Sequence, residues 1–260
     1  MRWNHKTTRI GLLILALVCV GVLMRPIGKR LFFAILRRTR RSYTVADRLA
    51  QYGAAARGRL EPGFHEAGVA YPPDGITLIG IKDIRVLELW AEDAAGAQAF
   101  IKAYPILGAS GVSGPKLREG DGQVPEGFYR VESLNPNSLY HLALRLDYPN
   151  DFDVMRAAED GRADPGSDIM IHGKTCSIGC LAMGDPAIEE IFVLAADVGA
   201  TNIAVILTPT DMRTTGAPEP PPDAPPWTAQ LYDDIAGGLS PFRRAERGSA
   251  PPLTETRNSP

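Results

Sequence analysis

The chain has 260 residues, 45% of them hydrophobic and 22% charged, with a formal net charge of −2. That length leaves room for one or two domains with a sizeable core. The charge is unevenly placed: residues 1–41 hold ten Lys and Arg and no acid, so the rest carries 18 basic against 30 acidic groups, a net of −12, which excludes nucleic acid as the body's partner.

Ile10 to Met24 is an uncharged apolar run preceded by Arg2, Lys6 and Arg9. At about 1.5 Å per residue it spans roughly 22 Å as a helix, short of a ~30 Å bilayer core. No clean A-x-A cleavage site follows, which favours a retained signal anchor over a removed peptide. Arg25 to Arg41 is strongly basic around Leu31 to Leu36, a composition suited to anionic lipid. Residues 1–41 are therefore read as an N-terminal signal anchor with a basic membrane-proximal segment.

The spacing predicts a helix from Thr44, with Asp47 at capping-box distance. Two strands follow, Ile76 to Lys82 and Arg85 to Ala91, the second placing Val86, Glu88 and Trp90 opposite Leu87 and Leu89. Phe100 to Pro105 reads as a third strand. Ser110 to Gly127 is glycine-rich and charged. It is either a solvated loop or a substrate wall, where Lys116 or Arg118 can pair with carboxylates. Phe128 to Leu134 and Ser138 to Leu146 predict a hairpin around Asn135-Pro136-Asn137, with His141, Ala143 and Arg145 on its less apolar face. That face suits a site wall, which makes His141 a candidate. Asp151 to Gly166 reads as a helix and a loop.

Ile169 to Asp185 reads IMIHGKTCSIGCLAMGD. An apolar run delivers His172 into Gly173, and Ser177, Gly179 and Cys180 follow. A free thiol has a pKa of about 8.5, so little is thiolate near neutrality. An adjacent imidazole can take its proton or hold the thiolate as an ion pair. Gly179 permits a sharp turn whose N–H groups can face a developing oxyanion. The Gly173 carbonyl can accept the imidazole N–H and fix its tautomer. Other readings stand beside this one. Cys180 can be an inert small hydrophobe. His172, Cys176 and Cys180 at four-residue spacing can hold zinc, though no fourth Cys or His lies nearby. A Cys176–Cys180 disulfide is also sterically open.

Asp185 to Gly199 is the clearest helix, with Asp185 as expected cap, Pro186 at the first position and a stripe of Ile188, Ile191, Phe192 and Ala195. Asn202 to Leu207 reads as a strand. From Thr214 the chain is proline-rich. Apart from a short helix at Trp227 to Leu239, residues 214–260 are expected to form a largely disordered tail.

HG followed by S-x-G-C-L-A-M resembles the signature of the YkuD-type L,D-transpeptidases. The longer words GPKLREGDGQVPEGFYRVESLNPNS, HLALRLDYPNDFD and IMIHGKTCSIGCLAMGD are similar to the YafK branch of that family, over about Thr44 to Arg213. The resemblance implies a mainly β fold with flanking helices, the YkuD-like β-sandwich, in residues 42–213. It implies a cysteine acyltransferase that acts on peptidoglycan stem peptides through a thioester and calls for no metal or cofactor. In it Cys180 takes the nucleophile's place and His172 the base's. Gly173 supplies the carbonyl that orients His172, Gly179 the oxyanion hole. Lys116, Arg118, His141 and Ser177 become substrate-side residues. Ile178 stands where many members carry a second His. Some of the branch resembles amidases that cut murein crosslinks to lipoprotein, so a murein-linked lipoprotein is a further expected partner. A non-catalytic wall-binding domain is the remaining alternative. The implied location is the periplasm, tethered to the inner membrane.

Overall fold

Thr44 opens the first helix as its spacing predicts: its hydroxyl accepts from Asp47 N–H at 3.1 Å while Asp47 accepts from Thr44 N–H at 2.7 Å. The computed structural model describes residues 42–243; the expected anchor, basic segment and last residues lie outside them. Helix α1 (Val45–Glu66) runs for 22 residues and includes Pro62. Strands β1 (Ile76–Ile81), β2 (Val86–Glu92) and β3 (Gln98–Pro105) form an antiparallel meander. Then come β4 (Gly127–Asn135), β5 (Ala143–Leu146), α2 (Asp151–Glu159), β6 (Met170–His172), β7 (Leu181–Ala182), α3 (Asp185–Val198), β8 (Ile203–Thr208), α4 (Met212–Thr215) and α5 (Thr228–Leu239). Among the described residues no helix is long and apolar enough to cross a membrane.

The strands make one mixed sheet in the order β3-β2-β1-β8-β4-β5-β6-β7, so the fold is mainly β with flanking helices, as expected. β8 lies parallel to β1, and β7 parallel to β6. β4 is shared between two halves. Gly127 to Arg130 pair with β8, and Val131 to Asn135 pair with β5, with a register shift at Val131/Ser133. Such a bulge bends a strand and sharpens its twist, so the sheet curls there and turns β5, β6 and β7 away from the first half.

Both faces of the first half are buried. Leu78, Leu87, Leu89, Val205 and Leu207 join the large cluster that also takes in residues of α1 and α3. The alternate positions Ile79, Ile81, Trp90 and Ile206 pack with Leu231, Tyr232, Ile235 and Leu239 of α5. This corrects the expected tail. The segment after Arg213 is part of the body at least to Phe242, because α5 carries the apolar stripe that covers the second face. Tyr232 also donates to buried Glu126 at 2.8 Å.

Candidate active site

In β5 and β6 the odd–even alternation sorts side chains by face. Leu144, Ile171 and Leu181 point into the core cluster. Their neighbours Arg145, Met170, His172 and Ala182 take the other face, and the pairings Arg145↔Met170 and His172↔Ala182 follow from the register. Cys180, one residue before Leu181, falls on that same face beside Met170. The Met170 N–H donates to Cys180 Sγ at 3.4 Å, and the thiol points to the Asp168 carbonyl at 3.6 Å. The predicted pair therefore shares one side of one strand end.

His172 is buried, and its Nδ1 lies 2.6 Å from the Gly173 carbonyl. A carbonyl only accepts, so Nδ1 carries the proton and Nε2 is left as the basic nitrogen. The ring stacks on Tyr140 with centroids 4.6 Å apart. Burial pushes the imidazole below its ordinary range, and the Gly173 carbonyl pulls the other way. Burial pushes the Cys180 thiol above its ordinary range. The Met170 N–H opposes this, Asp168 adds to it, and Lys116 acts against it. At neutral pH the resting pair is thus thiol and imidazole, not thiolate and imidazolium. Among the described residues the two make no hydrogen bond to each other.

Gly173 is required by space: a Cβ there would come within 2.7 Å of the Tyr140 carbonyl and 2.8 Å of Asp185 Oδ1. Gly179 has φ +86°, a left-handed value that suits glycine. Its N–H, expected to face an oxyanion, instead donates to Ser110 Oγ at 2.7 Å. The Cys180 N–H likewise donates to Ser177 Oγ at 3.0 Å, and Ser177 donates back to the Cys180 carbonyl at 2.5 Å. Both oxyanion candidates are therefore occupied by serine hydroxyls in the resting structure. Ser177 belongs to the same loop as Cys180.

Other expected site residues fall differently. Lys116 is not offered to ligands: its ammonium is buried on Asp121 at 2.6 Å and the Arg118 carbonyl at 2.8 Å. A charge so desolvated needs a fixed partner, and Asp121 is that partner. Arg118 is exposed, and its backbone serves the same turn through Asp121. His141 lies before β5 rather than in it, with φ +79°. Its Nε2 meets Glu189 at 3.0 Å and its ring meets Tyr52 edge-on, so it braces the site's border from outside. Asp185 does not cap α3; Gly184 holds that position. The Asp185 carboxylate binds Lys174 through both the backbone N–H and the ammonium, and these bonds outweigh burial to hold it below the usual carboxylate range. Cys176 and Cys180 are both free thiols, and among the described residues no three His, Cys, Asp or Glu side chains converge as a metal site would require.

Sequence reasoning missed the supports. Lys82 donates to Glu126 at 2.7 Å and to the Val124 and Gly114 carbonyls. This pins the glycine-rich loop whose Gln123 carbonyl lies against Gly179. Ser110 ties the same loop to the Cys180 turn through Gly122 and Gly179. No sequence signal marked these residues, because each acts on a partner distant in the chain. A cavity of about 670 Å³ lies elsewhere, at the starts of β1 and β8 near Asp74, Asp93 and Asn202, and none of the thiol's neighbours lines it.

The chain is 40% identical over 113 residues to the Escherichia coli (strain K12) protein named "Putative L,D-transpeptidase YafK", a match that covers 43% of each chain. The protein of the same name from Escherichia coli O157:H7 matches to the same extent. Over that stretch the chain is similar to the YafK-type L,D-transpeptidases. The matched part spans less than half the length of these YafK proteins. No family model matches the chain. Among solved structures, the helical cell shape determining protein Pgp2 from Campylobacter jejuni superposes with a TM-score of 0.43 at 20% identity, covering 69% of this chain and 61% of that one. Bdellovibrio bacteriovorus Bd1075 gives 0.38 at 19%, covering 64% and 55%. Both likenesses are too loose to carry function.

Proposed function

We propose that this YafK relative is a peptidoglycan-modifying cysteine acyltransferase of the L,D-transpeptidase type, acting on diaminopimelate-containing stem peptides through a thioester on Cys180. The observation that carries the proposal is a partly accessible thiol and a tautomer-fixed imidazole on one face of one strand end. The 40% identity to YafK stands beside it. In the reaction, Cys180 turns about χ1 from the Asp168 carbonyl toward the ring, a change between staggered wells. His172 Nε2 takes the Sγ proton as sulfur bonds to the amide carbon. Such catalytic contacts tighten only when substrate is bound.

The carbonyl oxygen becomes an oxyanion and takes the Cys180 N–H, displacing the Ser177 hydroxyl. A single donor of this kind is worth about 3–4 kcal/mol. Collapse breaks the C–N bond, and His172 returns its proton to the departing amine. An acceptor amine then attacks the thioester, loses its proton to His172 and leaves a new amide, while sulfur recovers a proton. Water in the acceptor's place makes the same residues a hydrolase, which would cut crosslinks to a murein-bound lipoprotein. We place the body in the periplasm, with residues 10–24 as its inner-membrane anchor, because the substrate lies there.

The test incubates the full chain, in mild detergent, with purified sacculi and reads the products by mass spectrometry. Wild type and Cys176→Ala are expected to change the muropeptides, and Cys180→Ala is not. New crosslinks would identify the transferase, and released stems or lipoprotein the hydrolase. Activity retained by Cys180→Ala would overturn the proposal.

A further inference from the structure

Arg145 stands on the same sheet face as the thiol. It pairs across β5 and β6 with Met170, the residue whose N–H touches Cys180 Sγ. With strands about 4.8 Å apart, two spacings put its Cα roughly 10 Å from that of Cys180. The guanidinium is not buried: its side chain is 38% exposed, with Nε on Glu132 at 2.8 Å and Nη1 on Asp168 at 2.5 Å. The Asp168 side chain is 63% exposed, so it is a surface partner that a ligand can replace. Its backbone is fixed differently. Asp168 has φ +59°, and its carbonyl receives the thiol while its carboxylate reaches Arg145. One residue thus links nucleophile and guanidinium.

Arg145 also lines an open groove of about 430 Å³ with Glu132, Asp147, Tyr148 and Asn150. That volume falls in the range of small-ligand sites. A guanidinium in such a place binds a carboxylate through paired N–H donors. Glu132 and Asp147, beside it, suit an ammonium next to that carboxylate. A zwitterionic amino-acid end on an aliphatic arm satisfies both. A diamino acid whose own carbonyl sits at Cys180 carries such an end on its side chain.

We propose that Arg145 is the specificity residue that takes the free side-chain carboxylate of the acyl donor, with Asp168 standing in for that carboxylate in the resting structure. The inference rests on the reading of Cys180 as nucleophile. The test offers the full chain, in mild detergent, two synthetic stem tetrapeptides, one with the free diaminopimelate side-chain carboxylate and one with it amidated. Wild type, Arg145→Gln and Arg145→Lys are compared for kcat/KM, and each protein in its Cys180→Ala form is compared for binding by calorimetry. Wild type is expected to favour the free carboxylate by about tenfold or more. Arg145→Gln is expected to lose that preference, and Arg145→Lys to recover part of it. Turnover of both peptides without preference, or a preference that survives in Arg145→Gln, overturns the role of Arg145 and leaves the proposed function standing. Selective binding without any turnover overturns the proposed function and supports Arg145. Neither binding nor turnover overturns both. An unchanged iodoacetamide rate at Cys180 in Arg145→Gln shows that the strand end has kept its fold.

Discussion

Replacing Lys116 by Met removes a cation whose side chain is 4% exposed and which sits 2.6 Å from an Asp121 carboxylate that is 11% exposed. Breaking a buried pair from one side generally costs about 3–5 kcal/mol, since a charge is left behind. Here that charge is unusually well held. Asp121 also accepts from the backbone N–H groups of Leu117, Arg118 and Gln123 at 2.9 to 3.0 Å. Lys116→Met should therefore cost less than the general range, about 2–3 kcal/mol. Asp121→Asn leaves the ammonium with only neutral acceptors and weakens three acceptor bonds at once, so it should cost the full range or more. The expected order is Asp121→Asn worse than Lys116→Met, read from urea midpoints of the full chain by fluorescence of buried Trp90. Burial would raise the Asp121 carboxyl, but Lys116 and the three backbone donors hold it below its ordinary value. A depressed carboxylate stabilises above its unfolded pKa of about 3.9, and that contribution is lost as pH falls through the folded value. The gap between wild type and Lys116→Met should accordingly close in strong acid. Unchanged midpoints together with a raised KM for stem peptides would refute this reasoning and return Lys116 to the substrate.

Two other outcomes follow from the same structure. With the thiol raised and the imidazole lowered by burial, iodoacetamide labelling of Cys180, followed by mass mapping in Cys176→Ala, should rise through and beyond about pH 8.5. A plateau between pH 5 and 7 would reveal a resting ion pair instead. A chain ending after Arg213 loses Leu231, Tyr232, Ile235 and Leu239, each of them buried. At about 1.5–3 kcal/mol apiece their loss is of the order of a whole domain's stability, so the shortened chain should be insoluble or lack native circular dichroism. A soluble product that melts like the full chain would contradict the assignment of α5 to the core.

What could be read in the sequence was local. The capping box at Thr44 and Asp47, the alternation of β1 and β2, and the stripe from Ile188 to Ala195 each declare themselves within one element, and each is where it was expected. The histidine and the cysteine were legible because the word that holds them is short. Burial by distant partners was not legible. Lys116 has the composition of a solvated loop residue, yet a turn closed by Asp121 draws it inside. His141 follows strand alternation on paper, yet Glu189 on α3 and Tyr52 on α1 hold it in a left-handed turn. Asp185 precedes a proline, as caps often do, but Lys174 claims its carboxylate. The short helix expected at Trp227 to Leu239 is where it was read, but its packing on the sheet was not legible, because a proline-rich linker says nothing about where the apolar face it delivers will land.

The Cys180 turn depends less on the apolar core than on polar pegs. Serine hydroxyls meet the Gly179 and Cys180 N–H groups, and the Lys82–Glu126 pair pins the loop that carries Gln123. Segments held mainly by such bonds open at lower free energy than strands packed on both faces. A substrate oxygen arriving at Cys180 N–H exchanges one hydrogen bond for another rather than opening a closed core, so donor and acceptor counts balance at that step. Under the proposed function, these N–H groups are aimed in advance while remaining accessible. In the proposed reaction, Ser110 and Ser177 hold these backbone N–H groups in place until a reacting carbonyl replaces the Ser177 hydroxyl at Cys180 N–H.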